Sequence, residues 1–179
     1  STVKELYAEH IVELLQEAGY QAKEFVFAAG ETSKTRKTKE EVEDAMLEAG
    51  FRRDCCIIAV GGGVVTDLSG FLAGTYGRGV PFINYATTLL AAADASVGGK
   101  TAVDTPLATN LIGLFNQPEK VYLDIAACHS GSSPVVWQRQ SSMPAWQIRK
   151  CLNFWKNIWK IFSRETEKPV NTSQRRTAR

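Results

Sequence analysis

Apolar positions Val3, Leu6, Tyr7, Ile11, Leu14, Leu15 and Ala18 recur at helical spacing, which predicts an amphipathic helix at the start of the chain. Thr2 and Glu5 stand where a capping box would place them, and Gly19 suits the C-terminal stop. A short strand is predicted around Lys23 to Ala28, then a loop, "GETSKTRKT", and a second amphipathic helix from about Lys39 to Glu48 with Val42, Ala45 and Met46 on its apolar face. "CCIIAV" is a continuous apolar run entering "GGG", the pattern of a strand covered on both sides. A helix over about Val64 to Tyr76, a strand "PFINYA", a small-residue segment to Gly99, a short helix near Asn110 and a strand "KVYLD" follow. Strands alternating with helices predict an α/β fold, a Rossmann-like parallel sheet flanked by helices.

Composition changes this picture in one place. The chain has 179 residues, 44% hydrophobic and 22% charged, ordinary values for a folded domain. No apolar run is long enough to span a bilayer, and the start is acidic and periodic rather than a targeting signal, so a cytoplasmic protein without membrane contact is expected. Serine, not methionine, stands first, which fits a piece of something larger. The net charge of +2 is split: through Ala127 there are 11 basic and 17 acidic residues, and from Cys128 onward 10 basic and 2 acidic. All four tryptophans lie in the second part, with a single glycine, Gly131. The domain division therefore falls between residues 1–127 and 128–179. Cys55, Cys56, Cys128 and Cys151 lack the spacing of a zinc or redox site and are read as reduced thiols.

Chemistry first suggests itself in "AVGGGVVTDLSG". A strand that ends in glycines and turns into a helix presents unpaired N–H groups, and missing side chains let a pyrophosphate approach. A tight turn without ligand accounts for the triplet as well, since the spacing is not G-x-G-x-x-G. Asp67 in the first helical turn is either a charge at the positive end of the dipole or a ligand to a hydroxyl. "TTLLAAADASVGGKTAVDTPLATN" then gathers Thr87, Thr88, Asp94, Ser96, Lys100, Thr101 and Asn110 among residues too small to build a core, as a ligand-wrapping segment does. Its "GKT" is not a nucleoside triphosphatase loop, because Asp94 occupies the position of the first required glycine.

"GGGVVTDLSGFLAGTYGRG", "TTLL", "DASVGGKTAVDTPLATNLIGLFNQP" and "KVYLD", with "GETSK" upstream, resemble in order and spacing the NAD-binding domain of 3-dehydroquinate synthases, including the form that opens the fungal multifunctional shikimate-pathway enzyme. The resemblance implies a lyase of aromatic amino-acid biosynthesis. It would use NAD to oxidise a ring hydroxyl of a seven-carbon phosphorylated keto acid, expel phosphate, reduce the carbonyl again and close the ring to 3-dehydroquinate. Glu31 and Lys34 match residues at the adenosine end of NAD; Gly62, Gly63, Val64 and Asp67 match the pyrophosphate and ribose turn; Thr87, Thr88 and Asp94 match further NAD contacts. Lys100 and Asn110 match substrate-binding residues, with Asp94 beside the reacting end. Arg78 matches an arginine donated to the partner's active site, so a homodimer is implied. Thr109 replaces a lysine and Thr66 a glycine of the family pattern; the second change also occurs in cyclases that make 2-epi-5-epi-valiolone, which leaves the product open. A non-catalytic NAD-binding module is the other alternative.

The family holds its divalent metal, zinc or cobalt, with a glutamate and two histidines in a helical domain after the "KVYLD" strand. His10 and His129 belong to no such motif and read as ordinary histidines, so metal ligands are expected to be absent and the fold truncated. Rereading the tail one base out of frame permits a segment containing "SGMAE", the family signature that carries the metal-binding glutamate, followed by an acidic amphipathic helix. Trp137 with Gln138 and Met143 with Pro144 can then encode only Ala, and Trp155 and Trp159 before lysine only Glu. The segment from Cys128 is accordingly read as a frameshifted or misspliced tail. It would be partly disordered, with a helix near Trp146 to Phe162, and basic and Trp-rich without being a nucleic-acid site. The chain itself is expected to be an inactive fragment.

Overall fold

The computed structural model describes residues 7–123 and 135–138. Helix α1 spans Glu9–Glu17, and Ile11 and Leu15 on it are buried. It stops as predicted: Gly19, at φ 86, lets Gly19 N and Tyr20 N close onto the carbonyls of Gln16 and Leu15. The capping box expected at Thr2 and Glu5 lies outside the described residues. Residues 13–22 belong to a compact unit separate from the one that carries the sheet and are described by themselves.

Helix α2 spans Arg36–Glu48, three residues longer at its start than its apolar stripe predicts, because Thr35 caps it by accepting from Thr38 N at 3.1 Å. Gly50, at φ 82, ends it with the closure used by α1, bringing Phe51 N to Met46 O. Strand β1 (Ile57–Gly61) runs into helix α3 (Gly63–Thr75), which a short turn (Tyr76–Arg78) connects to β2 (Phe82–Ala86). Strands β3 (Lys100–Thr105), β4 (Ala108–Phe115), β5 (Lys120–Leu123) and β6 (Val135–Gln138) follow. The main sheet has the order β1-β2-β5-β6: β1, β2 and β5 are parallel, and β6 pairs antiparallel with β5 although its residues belong to the tail by composition. The parallel α/β arrangement expected from the alternation is present.

The core lies between α3 and the sheet. Met46, Leu72, Ala73, Tyr76, Val80 and Phe82 form one buried cluster, against which Phe25, Val42, Phe51, Cys55 and Ile57 pack. Tyr76 brings its hydroxyl inside only because it donates to Phe51 O at 2.9 Å. Cys55 and Cys56 are free thiols, and burial pushes the Cys55 thiol up.

Two elements differ from the sequence reading. Residues 23–28 form no strand; Phe25 instead turns its ring edge-on to Phe51 at 6.0 Å, so the alternation there serves the core and not a ladder. The helix expected near Asn110 is strand β4, paired antiparallel with β3 in a hairpin of its own. Its turn is set by Thr105, whose hydroxyl accepts from Leu107 N and Ala108 N. The hairpin lies flat on α3 because Gly70 and Gly74 lack side chains: a Cβ on Gly70 would come within 2.4 Å of Thr101, and one on Gly74 within 2.8 Å of Leu114. Asn116 fastens the same contact by donating to Gly70 O at 2.9 Å.

Candidate functional site

The glycine triplet closes β1 and opens α3. A Cβ on Gly61 would meet Val65 at 2.7 Å, so this position needs glycine for the turn itself. Gly62 is the N-cap without a side-chain cap bond, and the first helical closure is Val65 N to Gly62 O, which leaves the N–H groups of Gly63 and Val64 at the open end. Over this end lies the segment after β2. Thr87 N donates to Gly61 O at 3.0 Å, a Cβ on Gly62 would sit 3.3 Å from Thr88, and one on Gly63 would sit 3.6 Å from Ala95. Thr87 is buried with its hydroxyl unpartnered, whereas Thr88 caps Ala91 N at the start of a π-helical turn, Ala91–Ala95. Thr66 is 1% exposed and bonds its hydroxyl back to Gly63 O, so this departure from the family pattern points into the core and not toward a ligand.

Beside the turn, one lysine joins three elements. Lys34, the C-cap of the short helical turn Glu31–Ser33, is 3% exposed. Its ammonium lies 2.8 Å from Asp67 Oδ2 in the first part of α3 and 3.3 Å from Glu31 Oε1, and donates to Asn110 Oδ1 on β4 at 2.6 Å. Burial opposes the charge on Lys34, but the bond to Asp67 and the attraction of Asp67 and Glu31 prevail and hold its pKa above the ordinary lysine value. Asp67 is also raised, first by its own burial; the bond to Lys34 pulls the other way, and the charges of Glu31 and Asp94 add to the rise. The node thus sets one ammonium against two carboxylates, with Asp67 the more deeply buried of the two.

The expected site residues are not all gathered. Glu31, Lys34, Asp67 and Asn110 converge, with Gly62, Gly63, Val64, Thr87 and Thr88 at the adjoining turn. Asp94 and Lys100 pair across the "DASVGGK" loop at 3.3 Å, each side chain 64% exposed. Arg78 lies beyond the opposite end of α3, roughly 20 Å from the glycine turn by the rise of a helix of that length. It is exposed at φ 72, in the left-handed region between Gly77 and Gly79. His10, on α1, is exposed, and His129 lies outside the described residues. Among the described residues no three His, Cys, Asp or Glu side chains converge to hold a metal ion, and no helix is long and apolar enough to cross a membrane. Asp104, which motif reading passed over, accepts from Asn110 N and gives its own N–H to Lys34 O.

A parallel sheet, a glycine turn opening onto a helix and a polar node beside it define the class: a Rossmann-like α/β domain. The family model described as 3-dehydroquinate synthase N-terminal matches residues 24–134, and the chain belongs to that family. It is 50% identical over 119 residues to a 3-dehydroquinate synthase from Latilactobacillus sakei, a match that covers 66% of this chain and 34% of the relative. It is 55% identical over 101 residues to the pentafunctional AROM polypeptide of Eremothecium gossypii, covering 56% of this chain and 6% of that one. Among solved structures, the 2-epi-5-epi-valiolone synthase ValA of Streptomyces hygroscopicus, with NAD+ and Zn2+ bound, superposes with a TM-score of 0.64 at 34% identity, over 70% of this chain and 35% of its own. A 2-deoxy-scyllo-inosose synthase complexed with carbaglucose-6-phosphate, NAD+ and Co2+ gives 0.67 at 30%, over 72% and 35%. The chain thus spans about a third of the length of the bacterial synthase it matches.

Proposed function

We propose that this chain is the NAD-binding part of a 3-dehydroquinate synthase, the lyase that eliminates phosphate from 3-deoxy-arabino-heptulosonate 7-phosphate and closes the ring to 3-dehydroquinate. The observation that carries the reading is the node of Lys34, Glu31 and Asp67 beside the uncapped start of α3. The residues fit a dinucleotide. The bare Gly62–Gly63 turn with the open N–H groups of Gly63 and Val64 suits a pyrophosphate, the carboxylates of Glu31 and Asp67 suit ribose hydroxyls as acceptors, and the unpartnered Thr87 hydroxyl is a spare donor at the same turn. Bound there, NAD would supply reversible hydride transfer with a hydroxyl of the sugar phosphate.

The remaining roles belong to side chains of this chain. Lys100, exposed and within 3.3 Å of Asp94, would hold an anionic group of the substrate once the two part; Asn110 would orient its oxygens. Arg78, exposed beyond the end of α3 opposite the glycine turn, would serve the other copy of a homodimer, as the family resemblance implies. Among the described residues no donor set for zinc or cobalt converges, and the fragment reading makes the chain a binder of NAD without turnover. The closer identity to 3-dehydroquinate synthases than to ValA favours that product over a valiolone. The frame change at Cys128 and a cytoplasmic location belong to the same reading, and sequencing the transcript across Ala127 to Phe162 tests the first.

Calorimetric titration of NAD into the chain should give saturable binding with one site per chain, lost in Glu31→Ala. No saturable heat up to millimolar NAD would sink the proposal. Release of phosphate from the heptulosonate phosphate by the chain alone would sink its claim of inactivity.

A further inference from the structure

We infer that Asp104 is a positioning residue that sets the backbone of Asn110 and thereby joins the substrate side of the site to Lys34. It sits where the β3–β4 register shifts, between Val103 and Thr105, so its backbone groups are turned out of the ladder. The freed N–H reaches across to Lys34 O at 2.7 Å, beside an isolated parallel bridge between Thr35 and Asp104. Its carboxylate turns the other way and accepts the N–H of Asn110 at 2.8 Å. Asn110 is held at φ 56, one of two described non-glycine residues with positive φ, a conformation that asparagine enters more readily than most but still at a cost. From that conformation its side-chain oxygen accepts from Lys34 Nζ at 2.6 Å.

The bonds form a closed ring: Lys34 carbonyl, Asp104, Asn110, Lys34 ammonium. Breaking the ring at Asp104 removes the acceptor that makes the left-handed conformer of Asn110 favourable, and the side chain then has no reason to stay on Lys34. The Asp104 carboxylate and its N–H both bond main-chain groups, so the ring needs an acceptor at this position and not a charge. Asparagine offers the same oxygen in the same place, which separates this role from an electrostatic one.

The inference rests on the reading of Lys34 and Asn110 as ligand-binding residues, and its test keeps the two apart. Amide exchange at Asn110 is followed by NMR in the full chain alongside NAD titration, for the wild type, Asp104→Ala and Asp104→Asn. Asp104→Ala should speed exchange of the Asn110 N–H about tenfold and weaken NAD several-fold, while Asp104→Asn should restore both to within about twofold. Unchanged exchange in Asp104→Ala, or an Asp104→Asn protein that folds but behaves like the alanine variant, overturns the inference. If the wild type binds no NAD, the functional reading fails and exchange at Asn110 still decides the role of Asp104. Should Asp104→Ala not fold, the pair with Asn110→Gly decides: glycine takes the left-handed conformation unaided, so a double variant that regains a cooperative melt supports the ring, and one that stays unfolded overturns it.

Discussion

Two lysines of the proposed site, Lys34 and Lys100, have different settings. The ammonium of Lys34 is almost fully buried, lies between two carboxylates and bonds an amide 76 residues away; Lys100 meets a single carboxylate in the open, 64% exposed. In water the second pair gains little, because solvent screens it and both side chains give up freedom to meet. The first has no such alternative: removing either partner would strand a charge. In the function proposed above, the cofactor side is therefore built into the fold before any ligand arrives, and the substrate side is loosely latched, free to exchange Asp94 for an incoming anion.

The hardest blow to that contrast is Lys34→Met, which keeps the bulk and removes the charge. It should cost about 3 kcal/mol, the lower part of the range for breaking a buried pair because Glu31 is exposed, measured by urea denaturation. Gly70→Ala attacks the platform on which the hairpin rests. A Cβ placed 2.4 Å from Thr101 forces β3 off α3, at about 2 kcal/mol, with Asn110 losing its hold on Lys34. A melting series in pH sharpens the comparison. The folded pKa of Lys34 is raised, so its contribution is full below the ordinary lysine value of about 10.4 and is lost as pH climbs through the raised one. Asp67 is raised too, so its protonation favours the fold at acid pH, full below about 3.9 and lost as pH climbs through its folded value. The stability gap between wild type and Lys34→Met should be widest near neutrality and close at both ends; a flat gap contradicts the assignment. The smallest effect is expected for Lys100→Met, at ~0.5 kcal/mol or less and shrinking with salt.

Periodicity made the helices and the buried strands legible, because each has a strong local signal: Val42 and Met46 on α2, the continuous run into the glycines at β1. It failed at the hairpin, where β3 is built of small residues and β4 exposes Leu111 and Phe115, so neither carries the contrast between faces that marks a strand. The true cue there was Thr105 and Pro106 between two runs, a turn signal outweighed by the expectation of a helix. Around Phe25 the opposite happened: alternation suggested a ladder, and the ring went to the core. The candidate site residues were named through the motif resemblance, and Glu31, Lys34, Asp67 and Asn110 among them do converge. That Lys34 would reach Asn110 was not legible, since a contact between a helical turn and a hairpin depends on how α3 holds them both, and no local pattern encodes it. Asp104 was hidden for the same reason.

The turn Gly77–Arg78–Gly79, with φ of 59, 72 and 108, reverses the chain so sharply that Val80 N already bonds Ala73 O. The path from β1 through α3 to β2 is thereby short, yet each β1 residue still pairs with one 25 positions further on. Loop closure costs less within the β3–β4 hairpin, whose partners lie 3 to 15 residues apart, than between β1 and β2, so the hairpin is the part poised to pair early and the parallel pair follows. The lysine node, which needs the hairpin docked on α3 beside the glycine turn, is then among the last features of the molecule to exist.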